Sequence, residues 1–209
     1  MSPRRRRAGR LIALEGIDGA GKSTLLRALA PALRRRGFSV AVHREPVDRR
    51  LGALAQSASL SDAWTGAVYF TVDRYLGRPG LRRLLARHDF VLSDRSLFST
   101  LAYQGSALSP RDRKRLEGLQ RDATIAPDRV LLLEIAPSIA VGRVGDRRSA
   151  RGPLERRRTL ARVAAAYRRL ARRPRWTVLD ATLPRRELVR RAVAAVVGAR
   201  PRRPGRRSR

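Results

Sequence analysis

The run Gly16-Ile17-Asp18-Gly19-Ala20-Gly21-Lys22-Ser23 sets its glycines, its lysine and its hydroxyl in the order G-x-x-x-x-G-K-[ST]. Glycines at these points let successive backbone N–H groups turn inward around a phosphate, and a helix opening behind them adds its positive end. The Ser23 hydroxyl is then placed to hold Mg²⁺. Lys22 is one of only two lysines in a chain with 46 arginines. A compact ammonium on a flexible stem reaches between phosphate oxygens inside such a loop, where a planar guanidinium fits less well. A lysine here therefore favours phosphate binding over a glycine-rich turn that merely fits the pattern.

A second group is Phe90-Val91-Leu92-Ser93-Asp94-Arg95. A carboxylate at a strand end beside a phosphate loop is placed to hold Mg²⁺ directly or through water, and the adjacent arginine can reach a phosphoryl group. Alone, Asp94 reads equally well as a cap for the next turn. Coupled to the loop, the metal-holding role leads.

These residues need elements to position them. Short apolar runs at 11–15, 39–43, 90–94, 130–135 and 176–179 read as buried strands. Longer stretches with helical spacing lie between them. Residues 24–36 put Leu25, Leu29, Ala32 and Leu33 on one face, and 155–172 form another helix. Ser109-Pro110-Arg111-Asp112 reads as a cap, a first-turn proline and an acid opening a helix towards Ala123, and Pro137 and Pro184 open two more. Strands alternating with helices imply parallel pairing with crossovers: a three-layer α/β chain, a five-stranded parallel sheet flanked by helices. Ligands of such sheets bind at the carboxyl ends of the strands, where Asp18 and Asp94 fall.

Composition bounds the partners. With 209 residues and 43% hydrophobic content, the chain has material for one domain with a real core. We expect that domain over 10–198, with a lid at about 143–155 and basic disordered tails at 1–9 and 199–209. The formal charge of +31 would suggest nucleic acid, but the arginines are spread over nearly every helix rather than gathered in one stripe. Nucleic-acid binding through the tails is the minor expectation. No cysteine is present, which excludes thiol nucleophiles and cysteine-ligated zinc and suits a reducing cytoplasm. The apolar run behind the N-terminal arginines breaks at Glu15, too short for a membrane span.

The chain resembles the thymidylate kinases, the branch of P-loop nucleoside monophosphate kinases that phosphorylates thymidine monophosphate. The likeness rests on an ordered series: Glu15-Gly16-Ile17-Asp18-Gly19-Ala20-Gly21-Lys22-Ser23-Thr24, Arg44-Glu45-Pro46, Phe70 with Asp73-Arg74, Asp94-Arg95, Ser99-Thr100-Leu101-Ala102-Tyr103-Gln104-Gly105, Pro127-Asp128 and Leu179-Asp180-Ala181. Val47-Asp48-Arg49-Arg50 departs from it, standing where the family continues with glycines.

The resemblance implies ATP and Mg²⁺, with Gly16, Ile17, Asp18, Gly19, Ala20, Gly21, Lys22, Ser23 and Thr24 around the ATP phosphates and Ser23 and Asp94 at the metal. It implies an acceptor site of Asp18, Arg44, Glu45, Pro46, Phe70, Arg74, Arg95, Ser99, Tyr103 and Gln104. Arg95 would grip the acceptor phosphate, with Arg44, Arg49 or Arg50 assisting. Phe70 would stack on thymine, Arg74 would offer donors to a base carbonyl, Gln104 would face the base edge and Tyr103 would pack against the sugar. Spacing alone favours a core aromatic at Phe70. Gly19, where a related subgroup has arginine, shifts the catalytic arginine to the lid: Arg147, Arg148 or Arg151, with Arg143 stacking on adenine. Lys22, Asp18 and Arg95 complete the catalytic set, and a homodimer paired through helices is the expected assembly.

Two other functions are open at this point. A deoxynucleoside kinase shares an acid-Arg-Ser stretch like Asp94-Arg95-Ser96 and would need Glu45 or Asp94 as a base. A basic P-loop ATPase that binds nucleic acid would show one contiguous cationic face.

Overall fold

The structure, a computed structural model, describes residues 9–144 and 153–198. Its five strands are β1 (Arg10–Glu15), β2 (Val40–Arg44), β3 (Phe90–Asp94), β4 (Arg129–Glu134) and β5 (Trp176–Asp180). They form one sheet in the order β2-β3-β1-β4-β5, every pair parallel. The strands are the expected ones, shifted by a residue at some ends. The eight helices are α1 (Lys22–Arg34), α2 (Arg49–Ser61), α3 (Ala63–Arg87), α4 (Leu97–Tyr103), α5 (Pro110–Ala123), α6 (Pro137–Val144), α7 (Pro153–Leu170) and α8 (Arg185–Val197).

Strand β1 is central because both of its faces are apolar: Leu11 to Leu14 are all buried, with Ile12, Ala13 and Leu14 at 0% exposure. Helices α1 and α8 pack together on one side of the sheet, while α3, α4, α5 and α7 contact one another on the other. One large apolar cluster joins Ile12, Leu29, Phe90, Leu131, Val163 and Val193 across these layers. Buried side chains of this size contribute about 1.5–3 kcal/mol each.

The caps explain where the helices begin. The Ser109 hydroxyl accepts from the Asp112 N–H, as the sequence pattern implied, and Pro110 takes the first turn of α5. Pro137 opens α6, whereas Pro184 stands one residue before α8 as its cap. Helices α2 and α3 begin at Asp48 and Asp62, whose carboxylates accept from Arg50 and Leu51 and from Trp64 and Thr65. The chain crosses from one side of β1 to the other between β3 and β4. The phosphate-type loop after β1 and the turn after β3 therefore lie at the sheet's switch point.

Candidate active site

The loop between β1 and α1 is shaped by glycines in the left-handed region, Gly19 at φ 84° and Gly21 at φ 91°. At Gly19 a Cβ would lie 2.3 Å from the Ala140 carbonyl oxygen, so α6 closes against the loop at this glycine. Lys22 turns back into the loop, its ammonium donating to the Gly16 and Ile17 carbonyls at 2.9 and 3.0 Å. Burial lowers its pKa to about 8, with the Arg95 charge adding to the effect. An anion in the loop would offset both.

Asp94, at the end of β3, accepts from the Ser23 hydroxyl at 2.7 Å and faces Arg44 Nε at 3.8 Å. The strand end and the first turn of α1 thus bring the two expected metal-holding groups into contact. One hydroxyl and one carboxylate form a partial oxygen shell suited to Mg²⁺, which takes its remaining ligands from phosphate and water. Among the described residues there is no group of three or more His, Asp or Glu that could form an all-protein cage.

Arg95 follows at φ 79°, a strained conformation for a residue with a Cβ, costing about 1–2 kcal/mol. Two bonds hold it there: its N–H donates to Leu14 O at 3.1 Å, and the Ser93 hydroxyl donates to its carbonyl at 2.6 Å. The guanidinium lies over the Tyr103 ring, donates to Asp18, and donates to Ser99 Oγ at 3.1 Å. Burial works to raise the Asp18 carboxyl, but the charges of Arg95 and Lys22 outweigh it and hold the group below its ordinary value. The Asp18 N–H donates to the Tyr103 hydroxyl at 2.9 Å.

Arg74, on α3, is nearly buried and heavily bonded. Its Nε donates to Glu45 at 2.5 Å, and its terminal nitrogens donate to Thr100 Oγ1 at 2.8 Å and the Ser96 carbonyl at 3.0 Å. Phe70 lies one turn before it, part-buried and outside both apolar clusters, so the core role that spacing favoured is not the one it has. Gln104 ends α4 and donates to Ser59 Oγ at 3.1 Å. The divergent stretch after Pro46 is held by Asp73, whose carboxylate accepts from the Val47 and Asp48 N–H groups at 2.8 and 2.7 Å. Asp48 then caps α2, carrying Arg49 and Arg50 as exposed residues of its first turn. Arg143 lies apart, its guanidinium 3.4 Å from the Ala181 carbonyl after β5. Arg147, Arg148 and Arg151 lie outside the described residues.

Sequence reasoning did not single out Glu15, Ser96 and Tyr167 for a role. Glu15 is fully buried and accepts from the hydroxyls of Ser96, Ser99 and Tyr167, each at 2.7 Å. A charged residue at the buried end of an otherwise apolar strand was the available signal.

A parallel sheet with a glycine loop after its central strand, a lysine turned into that loop, and a hydroxyl–carboxylate pair beside it define a P-loop kinase fold. The family profile "Thymidylate kinase" matches residues 14–193. The chain is 34% identical over 189 residues to a protein named probable thymidylate kinase from Metallosphaera sedula, covering 90% of this chain and 92% of the other. It is 36% identical to a thymidylate kinase of Paracidovorax citrulli, over 93% of this chain and 95% of that protein. A thymidylate kinase of Xanthomonas euvesicatoria is 37% identical, over 91% and 84% of the two chains. The chain belongs to the thymidylate kinase family.

Proposed function

We propose that the protein transfers the γ-phosphoryl group of ATP to thymidine monophosphate in line, giving the diphosphate that dTTP synthesis requires. The observation that carries this reading is the meeting of two cations at Asp18: Lys22 from the donor loop at 4.0 Å and Arg95 from the turn after β3. The lysine of the donor loop and the arginine assigned to the acceptor phosphate thus share one carboxylate, which supports placing donor and acceptor side by side.

In this reading the loop of residues 16–24 holds the ATP phosphates, and Lys22 leaves its loop carbonyls to bind them. Ser23 and Asp94 would hold Mg²⁺, which when bound would supply charge neutralisation on the phosphate oxygens. Arg95 binds the acceptor phosphate with Arg44 beside it, Phe70 stacks on the base, Tyr103 packs against the sugar, and Arg74 and Gln104 face the base edge. Glu45 and Pro46 set the wall from which Arg74 is held. With no room for a side chain at Gly19, we assign the remaining positive charge to Arg147, Arg148 or Arg151, and adenine stacking to Arg143, on the family resemblance. An acceptor monophosphate is already ionised, so no strong base is required. Nothing in the site favours a nucleoside kinase: the two carboxylates such an enzyme could use as a base are engaged, Glu45 with Arg74 and Asp94 with Ser23.

We propose one domain over 10–198 and, as partner, a second copy of the chain docked through α2 and α3. These helices expose Leu54, Leu60, Val72, Tyr75 and Leu76. No helix among the described residues is long and apolar enough to cross a membrane. A cysteine-free sequence suits the reducing cytoplasm, where this reading places the reaction.

The test is a coupled assay of ADP release with a panel of nucleoside monophosphates. Thymidine monophosphate should be the preferred acceptor. ATP turnover indifferent to every monophosphate but stimulated by DNA or RNA would replace this reading with that of a nucleic-acid-dependent ATPase.

A further inference from the structure

Beneath the acceptor side of the site lies a buried polar cluster built on Glu15, to which the proposed reaction gives no role; of its partners only Ser99 belongs to the expected acceptor site. Glu15 ends β1 with no exposed surface. Its Oε1 accepts from Ser96 Oγ, and its Oε2 accepts from both Ser99 Oγ and Tyr167 OH, all at 2.7 Å. These partners stand 81, 84 and 152 positions away, so the cluster exists only in the folded chain. Among the described residues no cation forms an ion pair or hydrogen bond with this carboxylate. A carboxylate buried among neutral donors is costly, and apolar side chains of similar volume commonly stabilise a core as well or better.

What the cluster does is set directions. A serine hydroxyl has one hydrogen. Ser99 gives its hydrogen to Glu15, so its lone pairs are left to accept from Arg95 at 3.1 Å. Ser96 also gives its hydrogen to Glu15, which fixes the start of α4, and the Ser96 carbonyl accepts from Arg74 at 3.0 Å. Arg95 is therefore linked to the carboxylate through a single shared atom, Ser99 Oγ, and Arg74 more remotely, through the side chain and backbone of Ser96. Tyr167 adds a bond from α7.

We propose that Glu15 is a positioning residue that orients Arg95 through Ser99 and Arg74 through Ser96, and so sets the acceptor site without touching substrate. The inference rests on the acceptor roles given to these two arginines above. An amide in place of the carboxylate points a donor pair at one of the serines, reverses that hydroxyl, and turns a hydrogen towards the group that Glu15 had arranged.

The experiment compares wild type, Glu15→Gln, Ser99→Ala and the double variant by initial rates with ATP and thymidine monophosphate. Glu15→Gln should raise the acceptor KM about 10-fold or more while leaving the ATP KM within about 2-fold. Because Ser99 relays part of the effect, the factors of the two single variants should not multiply in the double variant. Equal changes in both KM values, multiplying factors, or an unchanged acceptor KM would overturn the proposal. Should Glu15→Gln fail to fold, Tyr167→Phe keeps the carboxylate and removes one of its three bonds. It should raise the acceptor KM about 3-fold and spare the ATP KM, and no selective rise would count against the proposal. If wild type does not use thymidine monophosphate, the proposed function and this inference fall together. Wild-type turnover with unselective variants removes the inference alone.

Discussion

Ser23 and Asp94 are 71 positions apart in sequence, yet the serine hydroxyl donates to the carboxylate at 2.7 Å. The contact follows from the sheet order. Strand β1 pairs with β3 in register, Leu14 beside Asp94, so the loop leaving β1 passes over the end of β3.

That pair predicts the metal dependence of the reaction. Asp94→Asn keeps the shape and loses the charge, and the Mg²⁺ concentration for half-maximal rate should rise by about 10-fold or more. A Mg²⁺ titration of both proteins checks this. An unchanged midpoint would remove Asp94 from the metal site.

Two phenylalanines should behave oppositely. Phe90 has no exposed surface and sits in the main apolar cluster, so Phe90→Ala should cost about 3–5 kcal/mol of stability. Phe70 is part-buried and belongs to neither cluster, so Phe70→Ala should cost about 1 kcal/mol or less and weaken acceptor binding far more than ATP binding. Denaturant unfolding and calorimetric titration separate the two quantities. Equal losses of both ligands would refute the stacking role.

The loop glycines differ in what surrounds them. Both Gly19 and Gly21 have positive φ, but a Cβ at Gly19 meets the Ala140 carbonyl at 2.3 Å, while at Gly21 it meets nothing within 4 Å. Gly21→Ala should cost about 1 kcal/mol, from the backbone conformation alone, and Gly19→Ala about 1–3 kcal/mol more because α6 must move. Equal unfolding free energies for the two variants would contradict this close approach of α6 to the loop.

Glu15 predicts a pH signature. Burial raises its carboxyl above the ordinary 4.5, against the opposing pull of its hydroxyl partners. As pH rises past 4.5 the unfolded chain releases this proton before the folded one, so the folded state binds more protons and the group's contribution to stability falls. The fall ends once pH exceeds the raised folded value. Glu15→Gln carries no such proton. The melting temperature of wild type minus that of the variant should therefore decline as pH rises from 4.5, and a difference that is flat or grows would contradict the assignment.

Local features were legible from the sequence. Each strand is a short apolar run, and the loop motif, the Ser109 cap and the strand-end Asp94 declare themselves within a few residues. Their assembly into a parallel sheet followed from the alternation of elements. The starts of α2 and α3 at Asp48 and Asp62 were equally local and had the composition of caps, but Val47-Asp48-Arg49-Arg50 drew attention as a departure rather than as a helix start. That Phe70 stands outside the apolar core was not legible from spacing, because helical spacing alone cannot say which face of α3 meets the core. Glu15 was hidden for a different reason. Its partners come from α4 and α7, and a hydrogen-bonded carboxylate leaves no periodic trace in sequence.

The central claim is that the acceptor is a monophosphate held by Arg95. Purified protein with ATP and Mg²⁺ should phosphorylate thymidine monophosphate, leave thymidine untouched, and lose most of this activity in Arg95→Ala, by about 10²-fold or more. Transfer to thymidine in place of its monophosphate, or full activity in Arg95→Ala, would contradict it.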